Sequence, residues 1–185
     1  MTPKAPPKPL LTLAFLTATA CSIHIVESLI MRLLPLPFIR LGLSNIVILY
    51  LILRRHTCQA LIVNVTKSLI GGVATFSLLT PATLLSLGGG LTAIFAMWAG
   101  DRLPLGLSKY GVSIVGAVAH NLTQLLLVRY VVMPGTNVFI LTPILLILAL
   151  FSGIVTAWLL MLVENKLNTW DFHEKTGKSN DKEAA

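Results

Sequence analysis

The chain has 185 residues, of which 55% are hydrophobic and 11% charged, and its formal net charge is +7. A soluble domain carries about 25% charged residues. Between residues 10 and 164 there are eight Lys and Arg and three Asp and Glu, too few for a water-facing surface. This composition excludes a soluble globular enzyme and a disordered chain. It also excludes a nucleic-acid-binding protein, because the basic residues lie at the ends of apolar segments.

Six apolar segments follow one another along the chain, and each is interpreted as a membrane-spanning helix. About 20 apolar residues cross the hydrocarbon core, and continuous rather than alternating apolar runs favour helices over a barrel. The predicted spans are 10–31, 39–53, 57–79, 81–100, 109–133 and 138–163. The predicted fold is therefore all-α, a polytopic six-helix transmembrane bundle over residues 10–164. A proline-rich lead, residues 1–9, precedes it and a polar tail, residues 165–185, follows it.

The basic residues predict the orientation of these spans, because cytoplasmic loops are enriched in Lys and Arg. With six spans both termini lie on one side, and that side holds ten Lys and Arg (Lys4, Lys8, Arg54, Arg55, Arg102, Lys109, Lys166, Lys175, Lys178 and Lys182). The other side holds three (Arg32, Arg40 and Arg129). We therefore expect both termini in the cytoplasm.

The first span also resembles a signal peptide, because two lysines precede it and Cys21 follows small residues, as in a lipoprotein. Cleavage there is the less favoured interpretation. The apolar run continues past Cys21 to Met31, and its loss would leave five spans.

Polar side chains inside the spans are informative, because an ionisable group at mid-bilayer costs about 2.5–3.5 kcal/mol on insertion scales. Glu27 shares a face of the first span with His24, and Lys67 shares a face of the third span with Asn64. The predicted substrate-binding residues are Arg40, Asn45, Lys67, His120, Asn121 and Gln124.

Two interpretations of these polar groups stay open. Four basic residues (Arg32, Arg40, Lys67 and Arg129) against one acidic residue, Glu27, suit a polar or anionic small molecule that enters from outside. Alternatively, Glu27 pairs with Lys67, the amides bond across helices and the arginines lie at the lipid headgroups.

Other patterns predict no catalytic residue and no metal site, since no HxxxH or HExxH spacing accompanies the histidines. The glycines at 88–90 indicate either a broken helix at a substrate site or close helix packing. Ala14 and Ala18, at four-residue spacing, form a small-residue stripe that either packs inside the bundle or docks a partner protein. They are the predicted partner-binding residues.

Four stretches resemble a known family: residues 40–46 (RLGLSNI), 67–72 (KSLIGG), 86–89 (SLGG) and above all 111–124, which contains the pattern GAxxHNxxQ. They resemble the Gx transporter family, also labelled heptaprenyl diphosphate synthase component I, over about residues 10–164. That family is related to the substrate-binding S-components of energy-coupling factor transporters.

The resemblance implies a six-helix membrane protein that captures a small-molecule substrate and works with a transmembrane coupling protein and two cytoplasmic ATPases. It also implies that Ala14 and Ala18 face the coupling protein. No cofactor is implied, and the chain has no ATP-binding motif of its own.

The enzyme label is tested by the carboxylates that a prenyl diphosphate synthase needs for Mg²⁺. Glu27, Asp101 and Glu164 lie in different segments, which argues against a catalytic synthase. A non-catalytic membrane component of isoprenoid or quinone metabolism is the alternative function. A membrane scaffold for an electron-transfer assembly is a third possibility.

Overall fold

The structure, a computed structural model, describes residues 8–31, 42–104, 106–135 and 138–183. Over these residues every regular element is a helix and there is no strand, which confirms the predicted all-α class. The α-helices are α1 Lys8–Met31, α2 Asn45–Leu53, α3 Thr57–Ala74, α4 Pro81–Arg102, α5 Lys109–Leu127 and α6 Thr142–Glu183. A π-helical turn, Val128–Val132, continues α5, and a 3₁₀ turn, Val138–Leu141, leads into α6.

The helices identify a membrane protein. Within the described residues, four stretches are long and apolar enough to cross a bilayer: Leu10–Ile30, Pro81–Arg102, Lys109–Val132 and Val138–Asn165. The nine residues of α2 extend only about 14 Å at 1.5 Å per residue, against a hydrocarbon core of about 30 Å. Six membrane crossings therefore stay a prediction.

Helix α2 is the centre of the bundle, and its position explains its length. It packs against all five other α-helices. Such a position suits a helix that is apolar on every face, because no side has to meet water. Six of its nine residues are buried (Asn45, Val47, Ile48, Leu49, Leu51 and Ile52). Since other helices surround α2, the helix does not have to be as long as the bilayer is thick.

The main apolar core is built around α2 from Val47 to Ile52. Val47, Ile48 and Leu51 pack there with buried residues of the surrounding helices, among them Val63 and Met97. A second apolar cluster joins α4, the end of α5 and the start of α6 (Leu85, Leu125, Val128, Val138 and Leu145). The polar side chains described below lie between these helices at the other end of α2.

The third helix ends at Ala74, five residues before the predicted end of the third span. The Thr75 hydroxyl donates to the Gly71 carbonyl at 2.7 Å, and Ser77 N donates to the Gly72 carbonyl at 2.7 Å. Phe76 has a φ of 52°, in the left-handed region that ends a helix. Local capping therefore stops α3, although the residues that follow are still apolar.

The last helix continues beyond the predicted span. Its backbone stays helical from Thr142 through the polar segment to Glu183, where we had expected a solvated extension. Near the end of the apolar part, Glu164 accepts a hydrogen bond at 2.5 Å from Lys109, the first residue of α5. This ion pair ties α6 to α5.

Candidate functional site

The buried ammonium group of Lys67 holds the start of α2. Its Nζ donates to Asn45 Oδ1 at 2.7 Å and to Ser44 Oγ at 3.0 Å. The residue is only 2% exposed. Lys67 therefore links the middle of α3 to the first residues of the central helix through charge-assisted hydrogen bonds.

The carboxylate of Glu27 binds the same short segment from α1. Its Oε1 accepts a hydrogen bond from Gly42 N, and Gly42 has a φ of 71°, which favours glycine at this turn. Glu27 and Lys67 thus reach the segment 42–45 from two different helices. Both side chains are buried, and both form hydrogen bonds with this segment.

Three more polar groups connect α1, α3 and α4. Ser68 Oγ and Ser86 Oγ are 3.1 Å apart, and Ser86 Oγ lies 3.4 Å from His24 Nε2. All three residues are buried. These contacts show that His24, which shares a helix face with Glu27, belongs to an interhelical hydrogen-bonded group.

Glycines in the neighbouring helices make room for the large polar side chains. A Cβ on Gly90 would overlap the amide of Asn64, and one on Gly89 would lie 2.9 Å from His120 Cε1. Helix α4 runs unbroken through both glycines. The broken-helix alternative for residues 88–90 is therefore wrong, and close packing is what these glycines provide.

A small cavity lies between the start of α2 and helices α4, α5 and α6. Its volume is about 10 Å³, which is room for about one water molecule. Six of its nine lining residues are polar. The lining residues are Gly42, Asn45, Met97, Ser113, Ala117, His120, Asn121, Ser152 and Thr156.

Two polar atoms on α5 have no hydrogen-bond partner within the part of the chain that the structure describes: Ser113 Oγ and Gln124 Nε2. Ser113 is fully buried, at 0% exposure, and lines the cavity. Most buried polar groups in proteins are paired, so an unpaired one needs an explanation. Asn121, beside them, donates from Nδ2 to the Leu145 carbonyl at 3.2 Å.

The structure brings most of the predicted substrate-binding residues together. Asn45, His120 and Asn121 line the cavity. Lys67 does not line it but donates a hydrogen bond to Asn45. Gln124 is buried one turn beyond His120 on α5 but is not among the lining residues. Arg40 lies outside the residues that the structure describes, so its predicted role is not examined by the structure.

Sequence reasoning missed the hydroxyl residues of the cavity. Ser113 lies seven residues before His120, and Ser152 and Thr156 are four residues apart on α6. These spacings place each set on one face of a helix. The signal was therefore present, but an isolated Ser or Thr in an apolar helix is too common to single out.

The predicted partner-binding residues lie in a different place. Ala14 and Ala18 are exposed and line an apolar groove of about 460 Å³ between α1 and α3. The rest of the groove is lined by Leu10, Leu13, Thr17, Cys21, Ile62, Thr66 and Ile70. The small side chains therefore face outward in this chain, and α3 does not cover them.

A comparison with known protein families finds a match. A family model described as heptaprenyl diphosphate synthase component I matches residues 16–163, which include α2 to α5 and every described residue of the cavity. No curated protein and no solved structure matches the chain.

Proposed function

The chain belongs to the heptaprenyl diphosphate synthase component I family, and we propose that it is the membrane-embedded substrate-binding component of an energy-coupled importer. Its substrate is a small polar or anionic nutrient. In this proposal the protein lies in a bacterial cytoplasmic membrane with both termini in the cytoplasm.

One observation carries the proposal: a polar cavity with an unpaired buried hydroxyl inside a protein whose outer surface is apolar. Polar groups within a membrane protein are costly and usually mark a pathway or a binding site. The fully buried hydroxyl of Ser113 has no described partner. A polar group about the size of a water molecule would fit beside it and give it one.

The groove at Ala14 and Ala18 supports a partner. Small residues let two helices approach closely, and the groove is open and almost wholly apolar. We propose that a transmembrane coupling protein, which would work with cytoplasmic ATPases, packs here. The substrate cavity and this groove lie on different faces of the bundle, so both can be used at once.

The family description favours a second candidate, a non-catalytic membrane component of heptaprenyl diphosphate or quinone metabolism. The two candidates differ in what stays bound to the protein. An importer component co-purifies with a coupling protein and ATPases or with a small polar molecule. A synthase component co-purifies with a soluble prenyl synthase subunit.

Native mass spectrometry of the protein, extracted gently from its own membrane, separates these outcomes. A retained polar small molecule supports the importer proposal, and its loss in Ser113→Ala and Asn121→Ala would assign it to this cavity. Lys109→Ala, a change at the end of the bundle, is the control and should retain the molecule. If both cavity variants retain it as the wild type does, the site is wrongly assigned.

A further inference from the structure

We propose that one end of the bundle binds the phosphate of anionic lipid headgroups through three exposed arginines, Arg54, Arg55 and Arg102. The proposal requires only that the chain is a membrane protein, so it is independent of the substrate cavity and of the importer function. Its partner is the anionic part of the surrounding bilayer. A soluble phosphate compound offers the same chemistry and is therefore one arm of the test.

The three arginines lie at the same end of the bundle. Ser68 on α3 contacts Ser86 on α4. One turn nearer the start of α3, Asn64 lies against Gly90, one turn nearer the end of α4. The two helices therefore run antiparallel, and the start of α3 is level with the last turns of α4. Two of the arginines directly precede α3, and the third is the last residue of α4.

The arginines give this end an excess of positive charge. Lys109 and Glu164 form the only salt bridge among the residues that the structure describes, so this pair adds no net charge. Asp101 is the other acidic residue at this end of the described chain. The tail, residues 165–185, adds four Lys and four Asp and Glu, which balance. Three arginines therefore face a single carboxylate that belongs to no described salt bridge.

Aromatic side chains indicate that these arginines lie at the level of the lipid headgroups. Trp98, one turn before Arg102, and Trp158, near the end of the apolar part of α6, are both exposed. Trp and Tyr are enriched where a membrane meets water. The guanidinium carbon of Arg54 lies 5.4 Å from the ring centre of Tyr50, a cation–π contact that holds this charge beside the belt.

The turn between α2 and α3 carries an arginine where glycine is favoured. Arg55 has a φ of 64°. Its N–H donates to the Ile52 carbonyl at 2.9 Å, and His56 N donates to the Leu51 carbonyl at 2.8 Å. This pair of bonds ends many helices, usually with glycine at the left-handed position, and an arginine adopts that conformation only with strain. The turn itself therefore does not require an arginine.

A surface that binds phosphate does require such a residue. A guanidinium group forms two parallel hydrogen bonds to a phosphate, and it stays charged at every physiological pH. Basic residues beside a membrane surface are attracted to anionic lipids. The strain at Arg55, the exposure of all three arginines and their shared depth are therefore explained together by headgroup binding.

The test measures which lipid stays bound to the full chain. The protein in neutral detergent is equilibrated with equal concentrations of phosphatidylglycerol and phosphatidylcholine that have the same acyl chains, and bound lipids are counted by native mass spectrometry. We expect the wild type to favour phosphatidylglycerol by at least about tenfold, since each basic residue near the surface contributes about fivefold. Added salt should reduce this preference.

Arg55→Gly separates lipid binding from stability, because it removes both the charge and the strain. The preference should fall about fivefold, while the thermal unfolding midpoint without lipid stays the same or rises. Arg55→Asn is the second variant, since asparagine also tolerates the left-handed conformation. Arg102→Gln should lower the preference by a similar factor. Asp101→Asn is the control of opposite sign and should raise it.

The outcomes decide both the site and the source of the phosphate. A wild type without a preference for phosphatidylglycerol overturns the proposal. Preferences that are equal in the wild type, Arg55→Gly and Arg102→Gln place the lipid elsewhere on the bundle and also overturn it, as does a fall with Asp101→Asn. If glycerol 1-phosphate displaces phosphatidylglycerol at equal concentration, the ligand is a free phosphate compound and the lipid assignment is wrong. None of these results bears on the substrate cavity.

Discussion

Two buried serines in different parts of the bundle differ in their hydrogen bonds. Ser68 on α3 lies with its Oγ 3.1 Å from Ser86 Oγ on α4. Ser113 Oγ on α5 has no hydrogen-bond partner within the described part of the chain. Unpaired atoms are not confined to α5, since Glu27 Oε2 and Asn64 Oδ1 also have no described partner. A paired hydroxyl holds helices together, whereas an unpaired one can bind something else, so the comparison separates a structural serine from a candidate binding serine.

The largest effect is expected from Lys67. Replacement by Met keeps most of the volume but removes the ammonium's hydrogen bonds to Ser44 and Asn45, which should lower the free energy of unfolding by about 1.5–3 kcal/mol. Lys67→Ala should lower it further, because a cavity is added. Denaturant titration in detergent gives both values, and a Lys67→Met variant as stable as the wild type contradicts a structural role for this side chain.

The glycines of α4 provide the next effect. Gly90→Ala places a methyl group on the Asn64 amide and should cost about 1–3 kcal/mol by overpacking. Gly88→Ala is the matched control, since its Cβ would lie 2.9 Å from the flexible end of Leu127. We expect a clearly smaller loss of unfolding free energy for Gly88→Ala. Equal losses would show that Gly90 is not needed to make room for the Asn64 side chain.

Two buried serines test the comparison directly. Ser68→Ala removes a hydrogen bond to Ser86 and should lower the free energy of unfolding by about 1 kcal/mol. Ser113→Ala removes a hydroxyl without a described partner and should change it by less than about 0.5 kcal/mol. Ligand retention should respond in the opposite order, and a large loss of stability with Ser113→Ala would show that its hydroxyl is structural.

The smallest effect is expected at the ion pair of Lys109 and Glu164. The Lys109 side chain is 45% exposed and that of Glu164 is 16% exposed, and pairs of this kind contribute about 0.2–1 kcal/mol. Lys109→Ala should therefore shift the unfolding midpoint only slightly, and added salt should reduce the shift. A shift that salt leaves unchanged would point to a different origin.

The helical fold was largely predictable, because apolar length is a local property of the chain. The five segments at 10–31, 57–79, 81–100, 109–133 and 138–163 each contain a long helix. The end of α3 was not predictable from hydropathy, because hydroxyl groups at Thr75 and Ser77 stop it within an apolar stretch. The continuation of α6 beyond Val163 was missed, since polar residues carry no membrane signal.

The binding site was predictable only in part. Lys67, His120 and Asn121 stood out because polar groups are rare in apolar spans. The contacts of these residues could not be predicted, because they join different helices. The hydrogen bond from Lys67 on α3 to Asn45 on α2 is an example. The excess of basic residues suggested a polar or anionic substrate, which stays a prediction, but counting charges along a chain does not show that Ser44 and Asn45 hold the Lys67 ammonium.

The sequence by itself determined the helical class, the membrane environment and the family, because each depends on local apolar runs or on a contiguous motif. Only the tertiary structure decided that α2 is the central helix and that Ser113, Ser152 and Thr156 share a cavity with Asn45. Such contacts join residues far apart in the chain, and the packing of whole helices determines which of them meet.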